Sequence, residues 1–469
     1  MRAIGQVSAL NFLTYEAPYS SDPFEYDLIA NMIGFTSVHS GLLTRYRAGQ
    51  YAGVLAKSWR SSDDFKTWRF TIRRDVRFEN GDTVTPELVV QSFRRLWRLM
   101  NARGSRSGIL ENVTDQRDIH ADGDEVIIQL ASPLPNLLDL ISFGLYSVVH
   151  PSSYDPKSDH WINQRTTLAS GPYRIERWTD EELALRLRDD YPADLSHPHP
   201  LGQVKIRWDG ATDLNRFDMI VGTSRDQADS RTEKKFFGGA ESYIAYLRCH
   251  SWSDERSVCA QKNQRENLRA RFYPQLEAAG LDPIRSFLPL SFPGITEMEL
   301  REPTEKERAN SGLRFAFRPF SGLLAYWTQP VAAALKTLAD SADGRFEQTN
   351  TARRTILQEY EPGLGKYSND FIGLGTNINI KAPIHSLGFM FQSKEGIRLP
   401  DPTGAITKEL MKDQPNLVRV NQLIWDDAIV WPITHFAAGI WSKEGYDFSL
   451  YNRTNPPVAF EWIGLASKN

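Results

Sequence analysis

Cysteine is nearly absent from this 469-residue chain, which carries only Cys249 and Cys259. Two thiols cannot supply a four-cysteine zinc site. They are close enough in sequence to close a short loop through a disulfide in an oxidising compartment, which would stabilise the fold by roughly 2–3 kcal/mol. The alternative is a pair of unbonded, partly buried thiols.

Long apolar runs are also missing. No stretch of about 18 apolar residues occurs, so no segment is predicted to span a membrane. Met1 is followed at once by strand-like sequence, without the charged and apolar regions of a secretory signal. If the protein is exported, we expect its signal to have been removed. If Met1 is the native start, we expect the protein to stay in the cytosol.

Charge of one sign is not concentrated anywhere in the chain. The net charge is −3, and the sequence contains no long basic or acidic block. Nucleic-acid-binding domains are usually clearly basic, so we expect no nucleic-acid partner. With 41% hydrophobic and 24% charged residues the composition is that of a globular protein. A chain of this length is expected to form two or three domains.

Sequence motifs of catalysis are lacking as well. The chain has no GxSxG, no HExxH, no P-loop and no GxGxxG motif. His197-Pro198-His199 has a spacing found at metal sites, but a proline follows each histidine and the segment is typical of a loop. We therefore expect no enzyme activity, no metal and no cofactor.

Residues 55–96, with the sequence LAKSWRSSDDFKTWRFTIRRDVRFENGDTVTPELVVQSFRRL, carry the clearest structural pattern. Trp68, Phe70 and Ile72 alternate with polar residues, which predicts a half-buried strand. Thr85 as N-cap, followed by Pro86 and an acidic residue, predicts a helix start. An apolar face at helical spacing follows, formed by Val89, Phe93, Leu96, Trp97 and Met100.

Strands alternate with helices in the second half of the chain, which favours an α/β fold. Alternation predicts a strand over residues 243–247. A helix is predicted over residues 263–273, ending before Pro274 because proline lacks the amide hydrogen that a helix interior needs. A later helix is predicted around residues 417–424, followed by a strand at residues 431–433.

The segment 55–96 resembles a signature segment of the bacterial extracellular solute-binding proteins of family 5, the oligopeptide- and dipeptide-type binding proteins of ABC importers. Ser170-Gly171-Pro172-Tyr173 resembles the GTGPY element of this family, and Trp431-Pro432-Ile433 resembles its IPL strand. The resemblance implies an α/β, two-lobed periplasmic-binding-protein-like fold of cluster C type, with an extra subdomain in the larger lobe.

The resemblance also implies a domain organisation. Lobe I would consist of a main subdomain, residues 1–35, 160–247 and 438–469, and an extra subdomain, residues 36–159. Lobe II would be residues 248–437. Two strands would cross between the lobes, and the bound solute would stabilise a closed state because it binds that state better than the open one.

In function, the resemblance implies a solute-binding protein of an ABC importer that captures a small solute between two lobes and delivers it to a membrane permease. The protein would be a monomer, either periplasmic or a cell-surface lipoprotein. Two alternatives stay open: a cytosolic ligand-sensing domain of a transcription regulator, and a ligand receptor without a role in transport.

One departure from the family bears on the ligand. Peptide binders of this family hold the peptide's α-ammonium group with an aspartate, but Asn377 and Asn379 stand where acidic residues are common, and Ala382-Pro383 replaces Asp-Pro. Asp370 is the alternative carboxylate. An ammonium group buried without a carboxylate costs about 3–5 kcal/mol. We therefore expect poor binding of ordinary peptides with a free N-terminus, and leave open uncharged or anionic solutes, modified peptides and opine-like compounds.

Several side chains are candidates for contact with the solute. By resemblance they lie in an N-terminal loop, after the first crossing strand, in the asparagine-rich segment, or beside the return crossing. The planar fork of Arg248 suits a carboxylate or phosphate, although a surface salt bridge is its alternative. Turn formation or core packing is the alternative for the others. The candidates are Tyr15, Tyr19, Arg248, His250, Trp252, Asn377, Asn379, His385, Phe436 and Trp441.

Overall fold

The computed structural model describes most of the chain, and the account below is confined to that part. The described residues are 9–14, 16–25, 29–46, 50–102, 112–208, 213–223, 234–238, 241–251, 255, 257–302, 314–320, 327–341, 343–349, 370–378, 383–392, 399–412, 414–451 and 459–466.

Twenty strands and eight α-helices occur within these residues. The strands are β1 (Ala9–Leu13), β2 (Leu43–Tyr46), β3 (Gln50–Gly53), β4 (Ala56–Ser61), β5 (Thr67–Ile72), β6 (Ile119–Asp122), β7 (Glu125–Gln129), β8 (Tyr173–Trp178), β9 (Glu182–Leu187), β10 (Gln203–Arg207), β11 (Met219–Thr223), β12 (Lys235–Gly238), β13 (Tyr243–Cys249), β14 (Arg314–Arg318), β15 (Arg345–Gln348), β16 (Phe371–Asn377), β17 (Val430–Phe436), β18 (Ala438–Ser442), β19 (Tyr446–Asp447) and β20 (Gly464–Leu465). The helices are α1 (Ile29–Phe35), α2 (Pro86–Ala102), α3 (Leu137–Ile141), α4 (Lys262–Ala278), α5 (Thr328–Asp340), α6 (Pro383–Gln392), α7 (Ala405–Leu410) and α8 (Leu417–Asp427).

The chain divides into two compact units. Unit 1 consists of Met1–Ala240 and Ala438–Asn469, and unit 2 of Glu241–Ala437. Unit 2 is therefore an insertion between two parts of unit 1. The finer division predicted from the sequence, with an extra subdomain over residues 36–159, stays a prediction.

Unit 1 is built around a seven-stranded mixed sheet with the order β12-β18-β11-β1-β10-β9-β8. The central strand β1 pairs in parallel with β10 and β11, whereas β18 pairs antiparallel with β11 and β12. Leu10 and Phe12 of β1 are buried. The returning strand β18, from the end of the chain, thus completes a sheet whose other strands all come from the first half.

A second sheet of unit 1 has the order β4-β5-β7-β6 and carries helix α2. Trp68, Phe70 and Ile72 of β5 are buried, and their alternating neighbours are only partly buried. Helix α2 begins at Pro86 and buries Val89 and Phe93 on its apolar face. The strand and the helix predicted from residues 55–96 are both confirmed.

Unit 2 contains a five-stranded mixed sheet with the order β15-β14-β16-β13-β17. Strand β13 is an interior strand that pairs antiparallel with β16 on one side and with the edge strand β17 on the other. Pro432 lies in β17, an edge strand, where the lack of an amide hydrogen is tolerated. Its carbonyl oxygen accepts a hydrogen bond of 2.7 Å from the Tyr273 hydroxyl.

The predicted end of helix α4 was wrong. The helix does not stop before Pro274 but runs through it to Ala278. Leu268, Phe272 and Tyr273 bury the helix against unit 2. Because this packing stabilises the helix on both sides of the proline, the missing hydrogen bond does not end it.

The mixed strand and helix content confirms the predicted α/β class. Within the described ranges, no helix has the length and apolar character required to cross a bilayer. Those same ranges hold no group of three or more histidine, cysteine or carboxylate side chains that could bind a metal ion.

Candidate functional site

Three neighbouring strands of unit 2 bring two of the predicted contact residues together. Tyr243, the first residue of β13, lies opposite Asn377, the last residue of β16. On its other side Tyr243 lies opposite Phe436, the last residue of β17. This end of the sheet is also where the chain enters and leaves unit 2, since the unit begins at Glu241 and ends at Ala437.

Aromatic rings pack closely at this end of the sheet. The Tyr243 and Phe436 ring centroids lie 5.4 Å apart, and those of Trp327 and Phe436 lie 4.9 Å apart. Trp327 and Phe436 are buried. We call Tyr243, Trp327, Asn377 and Phe436 the Tyr243 cluster. Rings at these separations and tilts pack favourably against one another and hold the ends of β13 and β17 together.

The polar groups of the Tyr243 cluster are uncharged. Burial raises the pKa of Tyr243 to about 12, and hydrogen bonding to Asn377 opposes that effect. The Tyr243 hydroxyl therefore stays protonated at neutral pH. The side-chain oxygen of Asn377 is buried and has no hydrogen-bond partner among the described residues. A buried acceptor without a donor is costly, so a ligand that donates a hydrogen bond to it would be stabilised.

The alternative carboxylate, Asp370, is fully engaged within unit 2. Its Oδ1 accepts hydrogen bonds from the hydroxyls of Ser251 at 2.9 Å and Ser257 at 3.0 Å. Its Oδ2 accepts one from the amide of Ala316 at 3.0 Å. Asp370 precedes β16, whereas Asn377 ends it. The carboxylate thus holds three segments of the unit together and lies one strand length from the Tyr243 cluster.

Arg248 and His250 lie near the far end of β13 from Tyr243. Both are buried, with exposed fractions of 2% and 1%. Burial, with the charges of Arg248 and Arg318 adding to it, lowers the pKa of His250 to about 3. The imidazole is therefore neutral at physiological pH. Because a strand of seven residues separates the two ends, these residues do not join the Tyr243 cluster.

Cys249 and Cys259 are free thiols in this structure, and both are fully buried. The disulfide is thus absent from the structure, and the pairing stays a prediction. The Cys259 thiol donates to the backbone oxygen of Asp370 at 3.4 Å.

Two candidates lie in unit 1. The Tyr19 side chain is 41% exposed, and its hydroxyl donates to the carboxylate of Glu25 at 3.0 Å. Trp441 lies in β18, with its ring centroid 5.1 Å from that of Phe236. It packs against the buried cluster of Leu13, Phe217 and Ile220, which favours the packing role for this residue.

The remaining candidates fall outside what the structure describes. Tyr15, Trp252 and Asn379 are not among the described residues. His385 lies in helix α6, but its side chain is outside the described part.

Sequence reasoning missed two members of the Tyr243 cluster. Tyr243 was assigned to a strand, but its cross-strand partners depend on the register of β13 against β16 and β17. A rule that the two crossing strands place their ends side by side would have pointed to it. No local signal marks Trp327, which reaches Phe436 through the packing of helix α5.

Comparison with known proteins finds a family match over part of the chain. Residues 50–224 match the sequence model of the bacterial extracellular solute-binding proteins, family 5 middle. A probable D,D-dipeptide-binding periplasmic protein of Escherichia coli, DdpA, is 28% identical over 147 residues, which are 30% of this chain and 27% of that protein. The chain thus aligns with less than a third of the length of this curated relative.

Similarity in structure extends further than similarity in sequence. The Haemophilus influenzae OppA complex with the peptide RPPGFSPFR has a TM-score of 0.80 at 15% identity, covering 98% of this chain and 99% of that one. The binding protein AgaA of A. tumefaciens in complex with agropinic acid has a TM-score of 0.74 at 17% identity, covering 98% and 99%. At these identities the likeness concerns the fold alone, and it confirms the predicted α/β periplasmic-binding-protein-like fold. Residues 50–224 are thus similar to the middle part of the bacterial extracellular solute-binding proteins of family 5, and the whole chain has the fold of solved binding proteins.

Proposed function

We propose that this protein is the solute-binding component of an ABC importer, which captures a small solute and delivers it to a membrane permease. The observation that carries the proposal is the likeness of nearly the whole chain to binding proteins crystallised with a peptide and with an opine. A periplasmic or cell-surface location and a monomeric state are part of the proposal. Several similar proteins, among them DdpA of Escherichia coli and OppA of Haemophilus influenzae, are periplasmic by name, which supports the location.

We further infer that the solute is not an ordinary peptide with a free N-terminus. The Tyr243 cluster offers a protonated phenol and an amide, whereas Asp370 lies one strand length away and is occupied by three hydrogen bonds. A cationic amine placed at Asn377 would lack a carboxylate and would be destabilised by about 3–5 kcal/mol. Neutral or anionic solutes that donate a hydrogen bond to the Asn377 side-chain oxygen fit these groups better.

The proposal is tested first by mass spectrometry of small molecules released from the purified, denatured protein. We expect one compound or a small set of related compounds, in about equimolar amount, without a free α-amino group next to a peptide bond. Calorimetry with that compound should then give a saturable isotherm. Recovery of ordinary peptides as the dominant species would contradict the inference about the solute, while it would support the role in binding.

A second test introduces a carboxylate at Asn377, where the peptide-binding members of the family commonly carry an acidic residue. We expect wild-type protein to bind unmodified tri- and pentapeptides with a Kd weaker than about 10 μM, and Asn377→Asp to tighten that binding by at least tenfold, equivalent to about 1.4 kcal/mol. The matched control is Asn263→Asp, which adds the same charge at an exposed position of helix α4. Thermal unfolding of each variant would confirm that it is folded. Equal peptide affinity in wild type and Asn377→Asp would argue against the assigned role of Asn377.

Five further side chains that the sequence predicts as solute contacts remain proposed contacts. Tyr15, Tyr19, Trp252, Asn379 and His385 are proposed to line the solute site by resemblance alone. Alanine variants of these residues, each compared with wild type in affinity for the released solute, identify which of them make a contact.

A further inference from the structure

Both cysteines of unit 2 lie beside the start of strand β16. Cys249 is the last residue of β13 and lies opposite Phe371 of β16. The Cys259 thiol donates to the backbone oxygen of the preceding residue, Asp370, at 3.4 Å. The neighbouring Cys249 side chain acts to raise the pKa of the Cys259 thiol, beside the larger effect of burial. Both cysteines therefore lie against the Asp370–Phe371 segment of the folded unit.

The segment between the cysteines is fastened by polar contacts at both ends. The hydroxyls of Ser251 and Ser257 contact each other and both donate to Asp370 Oδ1. The Ser257 hydroxyl also accepts the amide of Cys259 at 2.9 Å, and Arg265 donates to the carbonyl oxygen of Cys259 at 2.9 Å. Hydrogen bonds with Ser257 and Arg265 thus hold the backbone of Cys259 in place.

We propose that Cys249 and Cys259 form a disulfide while the chain folds in an oxidising compartment, and that the bond then locks the segment after β13. In the reaction a disulfide oxidant such as oxidised glutathione exchanges with the two thiols. Its S–S bond breaks, the Cys249–Cys259 S–S bond forms, and the two protein thiol protons end on the two reduced oxidant thiols. The two electrons lost by the cysteines are those gained by the oxidant.

The burial of both thiols determines when this bond can form. Exchange requires a thiolate and access to the oxidant. Both side chains are fully buried, and burial raises the pKa of Cys259 well above its usual value. The folded, reduced protein should therefore react slowly, and the bond should form before the thiols are enclosed. A chain folded in a reducing compartment would keep both thiols.

The test compares two ways of oxidising the full-length protein. One sample is refolded from denaturant in reduced and oxidised glutathione, and the other is folded under reduction and then exposed to the same buffer. Both are denatured, alkylated and digested with trypsin. Cleavage after Arg248, Arg256 and Lys262 separates the cysteines into peptides 249–256 and 257–262, so a disulfide joins two otherwise distinct peptides.

We expect the linked peptides to dominate in the refolded sample and two alkylated cysteines to dominate in the sample oxidised after folding. The thermal midpoint of the refolded protein should exceed that of the reduced protein by roughly 5–10 °C. The double variant Cys249→Ala, Cys259→Ala serves as the control and should have one midpoint under both conditions. Recovery of two alkylated cysteines from the refolded sample would overturn the proposal. Because the experiment requires no solute, its failure leaves the proposed role in solute binding untouched.

Discussion

Among single side chains, Glu461 stands out as a buried carboxyl group near the end of the chain. Its Oε2 accepts a hydrogen bond of 2.6 Å from the Ser37 hydroxyl. Burial raises its pKa to about 7, while the hydrogen bond from Ser37 opposes the effect. Its charge in turn acts to raise the pKa values of Tyr173 and Tyr191, which are also buried. The protonated, neutral form is therefore the one that fits the folded state best.

This carboxyl group should make stability depend on pH. Its pKa is higher in the folded chain than in the unfolded chain, where about 4.3 is expected, so the folded state binds the extra proton between these values. The stabilisation is complete below about pH 4 and is lost as the pH rises through 7. We expect Glu461→Gln to be more stable than wild type at pH 8 by roughly 2–3 kcal/mol and close to it at pH 5.

Urea unfolding of wild type and Glu461→Gln at several pH values between 5 and 8 measures this difference. Glu181→Gln, at an exposed position of the same unit, is the control and should follow wild type. If the two glutamine variants show the same dependence on pH, Glu461 is not the titrating group.

A buried ion pair joins the N-terminal segment to helix α2. Arg95 donates to both carboxylate oxygens of Asp22, at 3.0 and 2.7 Å, and both side chains are almost fully buried. The guanidinium also lies 4.8 Å from the ring centroid of Tyr154. Because removal of the carboxylate leaves a buried cation, we expect Asp22→Asn to lower the free energy of unfolding by about 3–5 kcal/mol.

The control for Asp22→Asn is a variant in a solvent-exposed ion pair. Arg74 and Asp124 are 79% and 51% exposed, and Asp124→Asn should cost at most about 1 kcal/mol. Both variants are measured by urea unfolding at the same pH. If Asp22→Asn and Asp124→Asn lowered the free energy of unfolding equally, burial would not be what makes the Arg95–Asp22 pair important for stability.

At the level of strands, a row of glycines marks where the chain returns to unit 1. Gly439 of β18 lies opposite Gly222 of β11 and Gly238 of β12. A Cβ atom at Gly439 would lie 2.4 Å from the carbonyl oxygen of Phe237. Backbone atoms cannot yield as the end of a flexible side chain can, so β18 needs glycine at this position to fit between its neighbours.

We expect Gly439→Ala to lower the free energy of unfolding by about 1–3 kcal/mol, because the added methyl group forces the strands apart. Gly41→Ala is the matched control, since the nearest atoms to its Cβ would be at 3.6 Å, an ordinary contact distance. Thermal and urea unfolding report the two effects. A neutral Gly439→Ala variant would show that the three strands adjust without cost.

How far the sequence predicts these elements depends on how local their causes are. Strand β5 and helix α2 were predicted because alternation, capping and helical spacing act within a few residues. The C-terminal end of α4 was not predicted correctly, because it depends on contacts with residues far away in the sequence. Arg265 and Arg269 of α4 donate to backbone oxygens of Asp427 and Trp425 at the end of α8. Such contacts outweigh the local effect of Pro274.

The residues of the candidate site likewise fall into those that the sequence predicts and those that it does not. Asn377 and Phe436 were found because the family pattern marks their segments, whereas Tyr243 and Trp327 were missed because only the strand register and the helix packing bring them there. Nothing in the sequence indicates that Ser251, Ser257 and Ala316 donate hydrogen bonds to Asp370, since all three lie far from Asp370 in sequence.

Taking the two units together, the connections between them suggest that unit 2 can fold alone. The chain enters near Tyr243 and leaves near Phe436, which are neighbours in adjacent strands. All five strands of its sheet lie within Glu241–Ala437. Domains whose ends are close together tolerate excision well.

We therefore expect a fragment of residues 241–437 to be soluble and to unfold cooperatively. Circular dichroism and urea unfolding test this. A shorter fragment, 241–412, lacks α8 and β17 and is the control, which should remain unfolded because Ile424 and Val430 of the unit's core are missing. A gradual, non-cooperative transition for fragment 241–437 would contradict the expectation.

The insertion of unit 2 determines the order in which the sheet of unit 1 is completed. Whether the chain emerges from a ribosome or from a translocation channel, the inserted unit appears before residues 438–442, yet strand β18 occupies the position between β11 and β12. Until β18 emerges, those two strands present unpaired amide and carbonyl groups to other strands. A chain halted just after residue 437 would thus contain a complete inserted unit and an incomplete sheet, an intermediate that holding chaperones would need to protect from aggregation.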